Sequence, residues 1–225
     1  DGESIRSYQA NAGRFQYVSP KSYTVDGEGR LQGEVSGAVV AAARRAGGKV
    51  LPMVQNGPRY ATFSPVLQEP DRRSALARQI VDEIARYGWD GIHIDFEALE
   101  PADRDALTYF YVDLAGQLRA IGKMATIAVP ARFPEVESRW AAAYDYAALG
   151  AASDLVVLMT YAFRTPSSPP GSYSPIQSVE RSTRYASPRG NGLPSARVTP
   201  ESAMESVRVC LAETESANSG KVVAL

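Results

Sequence analysis

The sequence holds one cysteine and one histidine in 225 residues. A lone Cys210 excludes an intrachain disulfide and marks neither an oxidising nor a reducing compartment. As a nucleophile it would want a histidine partner, and the sole candidate is His93. No His/Cys/Asp/Glu spacing suggests a metal site, so neither metal nor cofactor is expected. No apolar run is long enough to cross a bilayer. Lysine and arginine number 24 against 25 acids, without a basic block, so nothing argues electrostatically for nucleic acid or an anionic membrane surface. No signal peptide is visible and Asp1 stands where an initiator methionine would, so a processed product or a fragment is expected.

What is present is a repeated beat of strand and helix. Ser4 to Asn11 reads as a helix end, and Arg14 to Pro20 as a first strand closed by proline. Asp26-Gly27-Glu28-Gly29 makes a turn, and Gly37 to Ala46 an Ala/Val helix stopped by Gly47-Gly48. Val50 to Gln55 is a second strand, followed by a loop from Asn56 to about Pro65, and Pro70 opens a helix to Tyr87. Pro101 starts a long helix with Leu107, Phe110, Tyr111, Leu114, Leu118 and Ile121 at helical spacing. Met124 to Val129 is a further strand, Tyr144 to Leu149 a short helix, and Leu155 to Tyr161 a strand apolar throughout, as buried parallel strands are. Beyond Tyr161 the periodicity weakens, leaving a helix at Pro200 to Glu213 and a strand at Lys221 to Leu225 as the expected elements. Repeated βα units imply a parallel sheet with helices outside, and two architectures fit: a doubly wound open sheet or a (β/α)₈ barrel. No Gly-rich phosphate loop follows the first strand, which weakens the dinucleotide-binding version of the former.

The third strand of this series carries the chemistry. In Trp89-Asp90-Gly91-Ile92-His93-Ile94-Asp95-Phe96-Glu97, alternation puts Ile92, Ile94 and Phe96 on one face and His93, Asp95 and Glu97 on the other. Alternate residues lie ~6.6 Å apart along a strand, so the two carboxyls are expected to feel each other's charge. Three ionisable groups on one face of a covered strand are costly unless that face opens onto a site. The alternative is an edge strand with one solvated face, which the flanking helices oppose. Asp90 is expected to brace the turn before the strand, and Gln55 and Asn56 to cap a loop in preference to touching substrate. Tyr17, Ser19 and Tyr23 are placed at the cleft edge or in packing.

Asp90 to Glu97 resembles the signature Asp-Gly-x-Asp-x-Asp-x-Glu of family 18 glycoside hydrolases, and Leu158-Met159-Thr160-Tyr161 resembles that family's Met-x-Tyr-Asp on the sixth strand. Tyr17-Val18-Ser19-Pro20, Tyr144-Asp145-Tyr146 and the stretch from Pro170 to Ile176 look like its bacterial spore-cortex-lytic and sporulation-associated branch. The resemblance implies an α/β fold, a (β/α)₈ TIM-type barrel whose strands two to six are the five read above. Strand one would lie upstream and strands seven and eight in or beyond the tail, giving one domain over 1–225 with an irregular stretch at 186–225.

The same resemblance implies a retaining, substrate-assisted glycosidase acting on polymers containing N-acetylglucosamine, monomeric and located outside the cell, at the wall or spore. Glu97 would be the acid, Asp95 would orient the substrate's acetamido group, and Tyr161 would hydrogen-bond it. His93, Met159, Asn56 and Tyr17 would support or bind substrate. His93 replaces the middle acid of the signature, where an imidazole could hydrogen-bond Asp95. Ala162 stands at the sixth-strand aspartate, Pro52 to Asn56 replaces the strand-three Ser-x-Gly-Gly, and neither Trp89 nor Trp140 falls where the family's strand-eight tryptophan would. These departures leave a glycan-binding member with little or no activity as the alternative.

Overall fold

The computed structural model describes residues 2–57, 60–133, 139–161 and 171–186. Helix α1 (Gly2–Asn11) leads through a 3-10 turn into β1 (Tyr17–Val18) and β2 (Lys21–Val25), and a turn at Asp26 returns the chain as β3 (Leu31–Gly33). Helix α2 (Gly37–Ala46) precedes β4 (Lys49–Val50) and β5 (Met53–Asn56); α3 (Tyr60–Gln68) and α4 (Pro70–Tyr87) precede β6 (Gly91–Asp95). Then come α5 (Arg104–Ala120), β7 (Met124–Pro130), α6 (Tyr146–Ala152), β8 (Leu155–Met159) and α7 (Ile176–Ala186).

Six strands form one sheet in the order β3-β2-β5-β6-β7-β8. The pairs β2–β5, β5–β6, β6–β7 and β7–β8 are parallel, and only the β2–β3 hairpin is antiparallel. Each new parallel strand adds at the same edge of the sheet. A doubly wound sheet reverses its order at a switch point, and this one never does. The winding is that of a barrel arc, which decides between the two architectures.

The core lies between the outer face of this arc and its helices. Ile92, Ile94 and Phe96 are buried there against Leu76, Ile80 and Ile84 of α4 and Leu107, Phe110 and Leu114 of α5. Phe96 meets Phe63 edge-on at 4.7 Å and Phe110 at 5.5 Å between ring centres, geometries that add to plain area burial. Asp90 accepts the Val50 N–H at 2.9 Å and Asp154 the Ala125 N–H at 2.8 Å, each bracing the strand it precedes against its neighbour.

Several expectations need correction. The first strand does not stop at Pro20: proline lacks an N–H, but its carbonyl accepts from Met53 at 2.9 Å and the strand resumes as β2. The second strand is likewise broken at Leu51-Pro52 into β4 and β5. Part of the loop placed after Asn56 is helix α3, with Pro65 inside it, because buried Val66 and Leu67 outweigh the proline. Helix α7 occupies residues for which no element was expected. Strand β8, read as covered, leaves Val157 47% exposed. The helix at Pro200 to Glu213, the strand at Lys221 to Leu225, Cys210 and Ala162 lie outside the described residues. Among the described residues, no helix is long and apolar enough to cross a membrane.

Candidate active site

Parallel register stacks the inner-facing side chains in tiers. Lys21, Met53, His93 and Thr126 stand side by side, and one tier nearer the strands' carboxyl ends are Thr24, Gln55 and Asp95. Lys21 reaches this wall through a shift in register between Lys21 and Tyr23. That irregularity lets Lys21 face inward while Tyr23 is buried on the core side, its hydroxyl donating to Glu83 at 3.0 Å.

His93 is buried, and its Nδ1 lies 2.8 Å from Thr126 Oγ1. Thr126 spends its own proton on the Ile92 carbonyl at 2.9 Å. A hydroxyl has one proton, so Thr126 accepts from His93 and the imidazole proton sits on Nδ1. Burial pushes the His93 pKa below its ordinary value, against the opposing pull of Asp95. A neutral ring therefore offers Nε2 as an acceptor.

Asp95 is buried, and its Oδ2 accepts from Gln55 Nε2 at 2.7 Å. Strand β6 ends there, so Glu97 stands on the segment just beyond the strand. Three contacts fix that segment. Asn56 Nδ2 donates to the Glu97 carbonyl at 2.8 Å, the Glu97 N–H donates to Asn56 Oδ1 at 2.9 Å, and the Tyr144 hydroxyl donates to the Phe96 carbonyl at 2.5 Å. Ala98 then turns the chain away in the left-handed region at φ 51°, a conformation that costs a non-glycine residue energy and is held by its surroundings. Burial first, and then the charge of Asp95, raise the Glu97 pKa, with Lys21 opposing. Two carboxyls held close in unlike environments are suited to unlike roles, one of them a proton donor.

Tyr161 follows β8 and is half exposed, stacked on Tyr173 with ring centres 6.2 Å apart and planes 13° from parallel. Burial first, and then the charges of Asp95 and Glu97, raise its hydroxyl pKa, so the ring feels the same pair. Met159 is buried at the end of β8 in register with Pro130. Tyr17 is a correction: it pairs in register with Lys49, seven residues before the Thr24 tier, and so stands roughly 23 Å away at the other end of the strands. Asn56 and Gln55, expected to cap a loop, instead hold the two carboxyl-bearing residues. Thr126 and Tyr144 were not singled out as site residues. Thr126 was findable as the one polar residue inside the apolar strand from Met124 to Val129; Tyr144 acts through a loop no periodicity reveals. Among the described residues no group of three or more His, Cys, Asp or Glu could hold a metal ion.

The barrel arc carries an Asp and a Glu two positions apart at the carboxyl end of one strand, the face on which barrel enzymes build their sites. Residues 22–202 match glycosyl hydrolases family 18, and the chain belongs to that family. It is 35% identical over 122 residues to the cortical fragment-lytic enzyme of Bacillus subtilis, a match covering 54% of this chain and 28% of that enzyme. Its fold superimposes on the spore cortex-lytic enzyme SleL of Bacillus megaterium with a TM-score of 0.75 at 25% identity, over 84% of this chain and 44% of that one. A class V chitinase from Pseudomonas fluorescens gives a TM-score of 0.75 at 26% identity, over 81% of this chain and 60% of that one. The chain thus spans less than two thirds of the length of each of these proteins.

Proposed function

We propose that this protein hydrolyses β-1,4 linkages at N-acetylglucosamine in peptidoglycan or chitin-like glycans, with retention and with the substrate's own acetamido group as nucleophile. Glu97 gives its proton to the glycosidic oxygen as the bond from that oxygen to the anomeric carbon breaks. The acetamido carbonyl oxygen forms a bond to the same carbon, leaving an oxazolinium ion on the retained sugar. Asp95, oriented by Gln55, holds the acetamido N–H and faces the positive charge; Tyr161 donates to the acetamido oxygen. Water then adds to the anomeric carbon, Glu97 takes its proton, and the acetamido group is released. No protein nucleophile is needed, the exception among retaining glycosidases.

The observation that carries this reading is Glu97 two positions beyond Asp95 at the carboxyl end of β6, its acidity weakened by burial and by that neighbour, which favours the protonated form a donor needs. Cell-wall or spore glycan is the favoured polymer because cortex-lytic enzymes are among the relatives. Ala162, at the family's sixth-strand aspartate, favours a second reading as a glycan binder of low activity. Release of reducing ends from peptidoglycan and from N-acetylglucosamine oligomers separates the two. Glu97→Gln should lower the rate by roughly 10²–10⁴-fold, the usual worth of a positioned acid. A rate unchanged in that variant eliminates Glu97 as the donor; retained binding without turnover in the wild type selects the second reading.

A further inference from the structure

Tyr161 stands on a segment that the sheet does not hold. Strand β8 ends at Met159, and the Thr160 N–H turns back to the Leu158 carbonyl at 2.9 Å. Such a three-residue turn takes the chain off the ladder. Among the described residues neither the peptide nor the hydroxyl of Tyr161 has a hydrogen-bond partner. Glu97 also lies just beyond its strand, but Asn56 fixes it there. A half-exposed tyrosine without polar contacts turns about its side-chain bonds unless something holds its ring.

What holds the ring is a second segment. Tyr173 lies nearly parallel to Tyr161 at 6.2 Å, the offset stacking that aromatic pairs favour. The Ser174 hydroxyl, one residue on, donates to the carbonyl of Thr160, one residue before Tyr161. Residues 160–161 and 173–174 are therefore joined twice, once through the backbone and once through the rings. The Pro175 carbonyl then accepts the Ser178 and Val179 N–H groups at 2.9 and 3.1 Å, which seats this clamp on the first turn of α7. Tyr173 is itself 58% exposed. It is too open to be part of a core, so the effect of its ring falls on Tyr161.

We propose that Tyr173 is a positioning residue: its ring, tied to the end of β8 through Ser174, holds the Tyr161 hydroxyl where it can donate to the substrate's acetamido oxygen. This rests on the hydrolytic reading above and adds a residue that acts only through Tyr161. A residue of that kind has no effect once the hydroxyl it positions is gone, and this sets the test. Release of reducing ends from peptidoglycan and from N-acetylglucosamine oligomers is measured for wild type, Tyr173→Ala, Tyr173→Phe, Tyr161→Phe and the double variant Tyr161→Phe/Tyr173→Ala.

One aromatic contact restrains a ring by roughly two- to tenfold in population, so Tyr173→Ala should lower kcat by about that factor, with KM changed less. Tyr173→Phe keeps the ring and should keep most of the rate. Adding Tyr173→Ala to Tyr161→Phe should change kcat by less than about twofold. A loss that is undiminished in the Tyr161→Phe background means that Tyr173 meets the substrate itself or supports the fold, and overturns the positioning role. A Tyr173→Phe variant as slow as Tyr173→Ala, or a Tyr173→Ala variant as fast as wild type, overturns it too. Tyr161→Phe at full rate removes that hydroxyl from the mechanism and the role of Tyr173 with it, leaving Glu97 and Asp95 untouched. A wild-type protein that releases no reducing ends from either polymer overturns the hydrolytic reading as well.

Discussion

Asn56 and Glu97 are joined twice, side chain to backbone, with the Asn56 amide giving one hydrogen bond to the Glu97 carbonyl and taking another from the Glu97 N–H. The parallel ladder between β5 and β6 closes at Gln55 and Asp95. One residue further on, the Asn56 side chain does what a peptide group would do inside a sheet. It carries sheet-like order past the end of the strand to Glu97, the proposed acid.

Asn56→Ala removes both bonds and leaves the Glu97 peptide unpaired in a half-buried site. At ~1 kcal/mol per bond and more for groups left unsatisfied, a loss of about 2–3 kcal/mol is expected. The larger effect is on chemistry, since a small displacement of a positioned acid costs on the order of a hundredfold. Thermal midpoint and kcat measured on one preparation test this. A full kcat with an unchanged midpoint would remove Asn56 from any role in holding the acid.

His93 makes stability depend on pH. Burial holds the folded ring's pKa below the ordinary 6.5, so in the window beneath that value the unfolded chain binds a proton that the folded protein refuses. The unfolded state then holds more protons, and stability rises with pH across that window. The contribution is complete above about pH 6.5 and is lost as pH falls toward the folded value. Melting curves from about pH 5 to 7.5 should show a midpoint dropping on the acid side. His93→Gln should flatten that part of the profile; an identical slope in the variant would trace the effect to other groups.

The βα repeat was legible because strand and helix periods alternate, although they left barrel and doubly wound sheet both open, and the carboxyl pair because three ionisable groups alternate with three large apolar residues. What escaped was whatever depends on contact between distant segments. Gln55 and Asn56 look like ordinary strand-end polar residues until β5 is laid beside β6 in register. Tyr144 reaches Phe96 across 48 positions of chain. Tyr17 failed for the opposite reason: aromatic residues suggest sugar binding, but the strand break at Pro20 puts Tyr17 on the far side of it from the tiers that hold the site. Trp140, placed elsewhere by its position in the chain, lines one cavity with Glu97 through the fold of a loop.

Lys21 and Asp95 should move the alkaline limb of activity in opposite directions. After burial, Asp95 is the next cause raising the Glu97 pKa, and Lys21 lowers it. In the proposed mechanism Glu97 works protonated, so the limb on the high-pH side should follow it. Lys21→Met should shift that limb in kcat/KM to higher pH, and Asp95→Asn should shift it lower while also reducing the rate. Coincident profiles for the wild type and Lys21→Met would mean that the ammonium does not act on the acid.

Gly91 sets how closely β6 can approach β7. A Cβ built there would lie 2.2 Å from the Met124 carbonyl oxygen and 2.7 Å from Met124 Cβ, distances no packed atoms occupy. Gly91 and Met124 are register partners, so the clash falls on the backbone of the pairing itself and no rotamer relieves it. Gly91→Ala must push the strands apart where β6 begins, four residues before Asp95. Overpacking of this kind costs about 3 kcal/mol, which in a chain of this size lowers the thermal midpoint by roughly 6–12 °C. Activity per folded molecule should fall too, since the displaced strand carries Asp95 and leads directly to Glu97. A midpoint within about 2 °C of wild type, at the resolution that size relation allows, would show that the two strands are further apart in solution than this register requires.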